Sequence, residues 1–412
     1  MIRESEDLPF CFGFVEKVNP QAKALGDFFL LGEENFSTGS TVEFKMKWRG
    51  KMVDKKMNLQ QVIGSIKPIE TKWMETAQER TAQLVMPTRA LGRIHDIGER
   101  LCAINRTLKP SIHRKAFLVM AGDHGVVDEG VSAYPQVITG EMVRAFLNGG
   151  AGINILAGQV NAEVWVVDMG IIAHVAPDSV ENRDKLLVHK MGQGTKNMAK
   201  GPAMSRKKSE EAILTGFKLA SNLFKKGVEI LGTGDMGIGN TTPSAAIGAV
   251  LTHNSVEEMT GRGTGVDDQG LMRKKEAIHR AIEVNQPDPN DGLDVLSKVG
   301  GFEIAGIAGC ILAGATHRRP VVIDGFISTA GALIADALCP AVKDYLFAGH
   351  CSEEPGHRLM LDHLHLDPIL DLGMRLGEGT GGALAMGIIE GAACISRDML
   401  TFEEAGVTDK GS

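Results

Sequence analysis

Five glycine-rich clusters carry the residues with chemical potential. The first, Ala121-Gly122-Asp123-His124-Gly125-Val126, is followed by Gly130-Val131-Ser132-Ala133-Tyr134-Pro135-Gln136. A tyrosine and a serine beside a strand end suit a flat heterocycle, which stacks on Tyr134 and hydrogen-bonds to Ser132. Asp123 and His124 are either chemical groups or caps of a sharp turn, and one Asp–His pair falls short of a metal site. The second cluster runs from Gly232 to Pro243 (GTGDMGIGNTTP) and opens a helix, with Thr242 as expected N-cap and Pro243 at the first helical position. Backbone N–H groups at such a start, with glycines admitting a close guest, form an anion cradle for a phosphate.

The third cluster, Gly261-Arg262-Gly263-Thr264-Gly265-Val266-Asp267-Asp268, precedes Arg273-Lys274-Lys275. A second glycine loop can wrap a phosphate and Lys274 can neutralise it; the alternative for Lys274 is a solvated helix face. The paired aspartates lack the strand before them and the Thr-Gly turn after them that a diphosphate–magnesium motif requires, so the donor is expected to lack a diphosphate. In the fourth, Asp324 ends a strand before GFISTAG and can accept from ribose hydroxyls, and GHCSEEPGH follows at 349–357. His350, His357, His363 and His365 match no compact ligand motif and read as core or solvated residues. The fifth, LGMRLGEGTGG, sets a lone carboxylate, Glu378, among glycines at a helix start. Glycines there are kept for geometry, which favours a working carboxylate over a charge that merely complements a helix dipole.

Short apolar runs must position these loops. Ala116–Met120, Val164–Asp168, Val228–Leu231 and Val321–Asp324 read as buried strands. Between them lie helical stretches at Gly140–Gly158, Ser209–Lys226 and Pro243–Leu251. That alternation predicts a parallel sheet with helices on both faces, with ligands at the C-terminal strand ends. Residues 58–107 read as helices broken at Pro68 and Pro87, and the segment from Gly377 as a small-residue helix. Residues 1–56, with one alternating piece (Thr41–Trp48), share nothing with the later motifs and read as an appendage or a start-site artefact, the alternative being a small β element packed on the core; the main domain is expected to begin near Met57.

The 412 residues have 43% hydrophobic and 23% charged composition, a net charge of −7 and no basic stripe, which argues against a nucleic-acid or anionic-membrane partner. Six scattered cysteines without a CxxC pair fit a reducing cytoplasm. The N-terminal residues show no signal-peptide pattern, and the longest apolar stretch, Ile304–Ala315, is too short to span a bilayer.

Seven pieces, DHGVVDEGVSAYPQ, GTKNMAKGPAMSR, LGTGDMGIGNTTPSAAI, GRGTGVDD with RKK, VIDGFISTAGAL, GHCSEEPGH and LDLGMRLGEGTGGALAM, together resemble the nicotinate-nucleotide–dimethylbenzimidazole phosphoribosyltransferase family, in its order over residues 85–395. The resemblance implies a doubly wound parallel α/β domain (about 108–375), a smaller helical lobe from about 57–107 and the C-terminal helices, and a homodimer. It implies Glu378 as general base and a base pocket of Ser132, Tyr134, Met236 and Leu376. Gly237, Gly239, Asn240, Gly263 and Lys274 would hold the nucleotide phosphate, with Asp324 and Ser352 near ribose and acceptor. Asp235 stands where the family places glutamate, and its role stays open. The implied reaction needs neither metal nor redox cofactor. Two other readings exist: the formal GxGxxG at Gly232, Gly234 and Gly237 suggests an NAD-dependent oxidoreductase of the Rossmann type, and a non-catalytic nucleotide sensor could use the same fold.

Overall fold

The computed structural model describes residues 58–175 and 180–408; the expected N-terminal appendage lies outside them. Eight strands are present among the described residues: β1 (Lys115–Gly122), β2 (Ala162–Gly170), β3 (Leu186–Val188), β4 (Ile230–Met236), β5 (Val321–Ile323), β6 (Leu346–Ala348), β7 (His350–Ser352) and β8 (Leu370–Met374). The first six form one sheet in the order β3-β2-β1-β4-β5-β6, and every pairing is parallel. All eight residues of β1 are buried, as expected for a strand covered on both faces. Phe117 faces the helix Thr380–Asp398, while Met120 packs under Gly306 of the helix Phe302–His317. Odd and even positions thus serve opposite helical layers.

The helix Phe302–His317 is apolar on all sides because it is sandwiched. It packs on β1, β2 and β4 and, outward, on the helix Arg206–Lys225. A Cβ at Gly216 would lie 2.0 Å from Gly306 O, and one at Gly309 would lie 2.0 Å from Ile213 O. Part of the high glycine content therefore lets two helix backbones touch. At the other end of the sequence, Arg93–Asn105 packs against both Thr71–Gln83 and Thr380–Asp398, and Leu84 bridges to Thr401. No helix among the described residues is long and apolar enough to cross a membrane.

The strand boundaries differ from expectation where glycines intervene. The sequence ends the fourth strand at Leu231, yet β4 continues through Met236, so Gly232 and Gly234 are strand residues. Their Cβ positions are occupied: Phe117 would lie 2.0 Å from one and Glu378 O 2.1 Å from the other. The expected helix Gly140–Gly158 is two, Val137–Leu147 and Gly152–Gln159, separated at Gly149-Gly150. Thr242 is not the N-cap. The helix Thr241–Thr252 begins two residues earlier than expected, behind Asn240, and Pro243 is its third residue, where no intrahelical N–H is needed. Three-residue β3 and β6 were too short to register, and the loops at 350–352 and 370–374 pair as a small parallel sheet, β7-β8.

In this strand order the chain reverses its direction of progress between β1 and β4, which opens a crevice at their C-terminal ends. β1 delivers Asp123 and His124 there, and β4 delivers Asp235, Met236 and Gly237.

Candidate active site

A cavity of about 480 Å³ occupies this crevice. Nine expected site residues line it: Tyr134, Asp235, Met236, Gly237, Asn240, Gly263, Ser352, Leu376 and Glu378. Four do not. Ser132 Oγ accepts the Tyr134 N–H (3.2 Å) and so shapes the tyrosine turn. Gly239, at φ +90°, packs against Val127. Lys274 and Asp324 stand behind the wall.

Glu378 is only 5% exposed and lies in the left-handed region at φ +64°. Its Oε2 accepts the N–H of Ile153 (3.1 Å) at the start of the helix Gly152–Gln159. One oxygen is thus fixed while the carboxylate borders the cavity. Burial pushes its pKa above the usual glutamate range, with the nearby Asp324 charge adding to the shift against the amides of Ile153 and Gly152. A carboxylate so raised takes a proton more readily than a solvated one.

Asp235 sits beside it, also buried. Its Oδ2 accepts from Asn240 Nδ2 (3.0 Å), and its Oδ1 has no partner. Burial, then the charges of Asp324 and Glu303, drive its pKa well above the aspartate range. The folded state therefore favours protonated Asp235, and its stabilising contribution is fully present below the unfolded pKa and lost as pH rises through the folded one. Asp235→Asn should raise Tm at pH 8, with the gain shrinking towards pH 5. Thermal melts across that range check this; a pH-independent or negative change in Tm would contradict it.

The opposite wall is built for an anion. Gly237, Ile238, Asn240 and Thr241 bring the start of the helix Thr241–Thr252 onto the cavity, facing the turn at Gly263-Thr264. Lys274 Nζ donates to Thr241 Oγ1 (2.7 Å) and Gly261 O (3.0 Å), directly behind that wall. It is buried, not a solvated face, and burial lowers its pKa to about 8 against the pull of Glu354. A bound dianion would raise that pKa again and hold the lysine fully charged. Glu354 Oε1 accepts the Gly263 N–H (2.9 Å) and Arg375 donates to Gly263 O (3.3 Å), so the peptide units on both sides of Gly263 are tied. Apolar side chains complete much of the lining: Ile138, Met142, Phe326 and Ile327 join Met236, Leu376 and Tyr134, the last two 61% and 53% exposed at the mouth.

The histidines divide. His357 Nδ1 accepts the Ser352 N–H (2.8 Å), so the ring proton sits on Nε2 and faces Thr329 Oγ1 (2.8 Å). Burial lowers its pKa to about 3, consistent with a neutral strut under Ser352. His350 lines the cavity, contrary to its reading as a bystander. His124 pairs with buried Glu303 (2.7 Å), and Asp123 accepts the Ile172 N–H (2.7 Å), so of the first cluster only the aspartate caps backbone. Burial alone would lower the His124 pKa, but Glu303 and Asp123 outweigh it and raise it. Among the described residues no group of three or more His, Cys, Asp or Glu is arranged to hold a metal ion. Sequence reasoning passed over Thr241, Glu354, Phe326 and Arg375, although each lies within or next to a motif it had singled out.

The family model described as Phosphoribosyltransferase matches residues 66–407. The nicotinate-nucleotide–dimethylbenzimidazole phosphoribosyltransferase of Geotalea uraniireducens is 51% identical over 85% of this chain and 98% of its own length. This chain belongs to that family. The protein of the same name from Desulforudis audaxviator is 52% identical over 85% of this chain and 98% of its own length. The crystal structure of CobT from Thermus thermophilus matches with a TM-score of 0.78 at 45% identity, over 82% of this chain and 99% of that one. Membership in the phosphoribosyltransferase family sets aside the oxidoreductase reading. Its structural basis also fails, because Gly232 and Gly234 lie inside β4 instead of forming a pyrophosphate loop after β1. The non-catalytic reading falls with it.

Proposed function

We propose that the protein transfers the 5-phosphoribosyl group of nicotinate mononucleotide to 5,6-dimethylbenzimidazole or a related base. The products are α-ribazole 5′-phosphate and nicotinate, for assembly of the cobalamin nucleotide loop. The observation that carries this reading is one cavity with a buried carboxylate, Glu378, on one side and a glycine-lined helix start backed by Lys274 on the other. The phosphate sits at the helix start around Gly237, Asn240 and Thr241, beside the Gly263 turn whose own N–H is held by Glu354, and the flat acceptor lies among Tyr134, Met236 and Leu376.

Glu378 takes the azole N–H proton as the other ring nitrogen bonds to C1′. The C1′–N bond to nicotinate breaks with its electron pair going to the pyridine nitrogen, whose positive charge is thereby neutralised. The leaving group needs no acid, and attack opposite to it converts a β-nucleotide into an α-riboside. The protein's part is to position two planar rings and one proton acceptor. Asp235, held by Asn240, borders the same cavity with its carboxyl group beside Gly377.

Glycines set Lys274 and Asp324 one layer back from the reacting atoms, so Lys274 supports the phosphate through Thr241 and through its charge. The contacts between Arg93–Asn105, Thr71–Gln83 and Thr380–Asp398 support a small lobe drawn from residues 57–107 and the C-terminal helices, beside a large domain at 108–375. We assign the working form as a homodimer in the cytoplasm, the free cysteines of the described residues fitting that compartment. The deciding assay mixes the full chain and nicotinate mononucleotide with a panel of benzimidazoles, adenine and phenols. Products are identified by mass and anomeric configuration. Nicotinate release coupled to an α-riboside is expected; no release with any base overturns the reading.

A further inference from the structure

We infer that Asp324 is a positioning residue for Glu378, acting on the backbone of the turn that presents the base and not on the ribose. The inference rests on the reaction proposed above. Asp324 follows β5 directly, is 0% exposed and contributes nothing to the cavity wall. Both of its oxygens are committed to backbone: Oδ2 accepts the Gly379 N–H (3.1 Å) and Oδ1 the Gly382 N–H (2.9 Å). Gly379 is the residue after Glu378, and Gly382 is the third residue of the helix Thr380–Asp398. These amides belong to the group a helix start leaves without intrahelical partners, so a carboxylate is the natural acceptor.

The turn needs such an anchor. Glu378 at φ +64° is in a conformation that strains a non-glycine residue, and such residues persist only where their surroundings over-determine them. Four restraints converge on it. Asp324 holds the amides that follow, and Thr380 Oγ1 donates to Gly377 O (2.8 Å) on the preceding side. Ile153 N–H fixes the carboxylate, and Gly234 supplies a floor on which the Glu378 carbonyl rests. Behind Asp324, His350 Nε2 lies 3.6 Å from Oδ1, and its ring fills the place a side chain at Gly381 would need. Asp324 is the one restraint that ties the turn to the main sheet through a side chain on a neighbouring strand end. Its aspartate length suits a backbone clasp; a ribose contact would require it to reach past Gly379.

The test is a double-mutant cycle on the full chain with Asp324→Asn and Glu378→Gln. Asparagine keeps one acceptor but turns an NH₂ towards the other amide. Asp324→Asn should lower kcat by roughly 100-fold with KM and Kd for nicotinate mononucleotide within about threefold of wild type. The double variant should be within about threefold of Glu378→Gln alone, because both changes remove the same positioned base. A loss of nucleotide affinity in Asp324→Asn, or losses that multiply in the double variant, would place Asp324 on the ribose and overturn the inference. Amide exchange gives a readout independent of turnover: Gly379 and Gly382 should lose protection in Asp324→Asn while β4 keeps it, and unchanged protection refutes the clasp. Wild-type protein that releases no nicotinate would count against the reaction itself, leaving the exchange result to decide the clasp. Should Asp324→Asn not fold, Thr380→Val loosens the same turn from its other side. A kcat reduced about fivefold at constant KM supports the inference, and an unchanged kcat opposes it.

Discussion

Glu378→Gln lowers turnover by about 10²–10⁴-fold, the usual contribution of a positioned base, while nicotinate mononucleotide binds with nearly wild-type affinity. The amide is close to isosteric, and its oxygen can still accept the Ile153 N–H that fixes the native carboxylate. The cradle at Gly237–Thr241 and Lys274 is untouched, which is why affinity survives. The pH profile adds a second signature. Glu378 must be ionised to take the azole proton, and burial holds its pKa above the ordinary glutamate range. Wild-type kcat therefore falls as pH drops through that raised value, and the glutamine variant loses this acid limb. Because Asp235, Asp324 and Glu303 lie close by and interact, the limb reports the cluster as a whole. Single-turnover measurements from pH 4.5 to 8.5 check both parts; turnover near the wild-type level would remove Glu378 as the base.

Gly234→Ala should be nearly as damaging, although the new methyl group touches neither substrate. A Cβ there would lie 2.1 Å from Glu378 O, 2.7 Å from its carbonyl carbon and 3.2 Å from Gly379 N. Every one of these atoms is backbone, so no flexible side chain can yield. The turn must rise off β4, and a displacement of about 1 Å at a reacting group is worth about 10²-fold in rate. Overpacking of this kind also costs about 1–3 kcal/mol of stability. The expected result is a kcat lowered at least about 100-fold and a reduced Tm, measured beside Gly391→Ala as a control. Gly391 has open space around its Cβ position in the helix Thr380–Asp398, so that substitution should leave kcat unchanged. A Gly234→Ala enzyme with normal kcat would show that the turn does not depend on its floor.

Gly232 and Gly234 illustrate what the sequence could and could not convey. Runs such as AFLVM and VWVVD announce buried strands by composition, and their alternation with longer helical stretches implies the parallel sheet. Glycine is a poor strand former, so GTGDM after VEIL reads as a loop. Only the neighbouring elements, Phe117 on β1 and the Glu378 turn, explain why it is strand. The same limit applied to the site. Glycine clusters located the cradle and the base, because close backbone approach leaves a mark in the local sequence. Ile138 and Met142 carry no such mark. They are a helical turn apart on Val137–Leu147, and which face of that helix meets the crevice depends on packing. Asp324 was placed at the correct strand end, but whether its oxygens face a ligand or backbone amides is decided by a segment more than fifty residues further on. For Lys274 the sequence offers a phosphate partner or a solvated face, and burial decides against the second.

The left-handed backbone at position 378 has an evolutionary corollary. Glycine would occupy that φ without strain, so the residue best for heat resistance there is not the residue that can accept a proton. Directed evolution that scores only soluble, long-lived protein would drift towards glycine at 378 and return a robust scaffold without catalysis. Any campaign to harden this enzyme needs turnover in the screen, or that codon held constant.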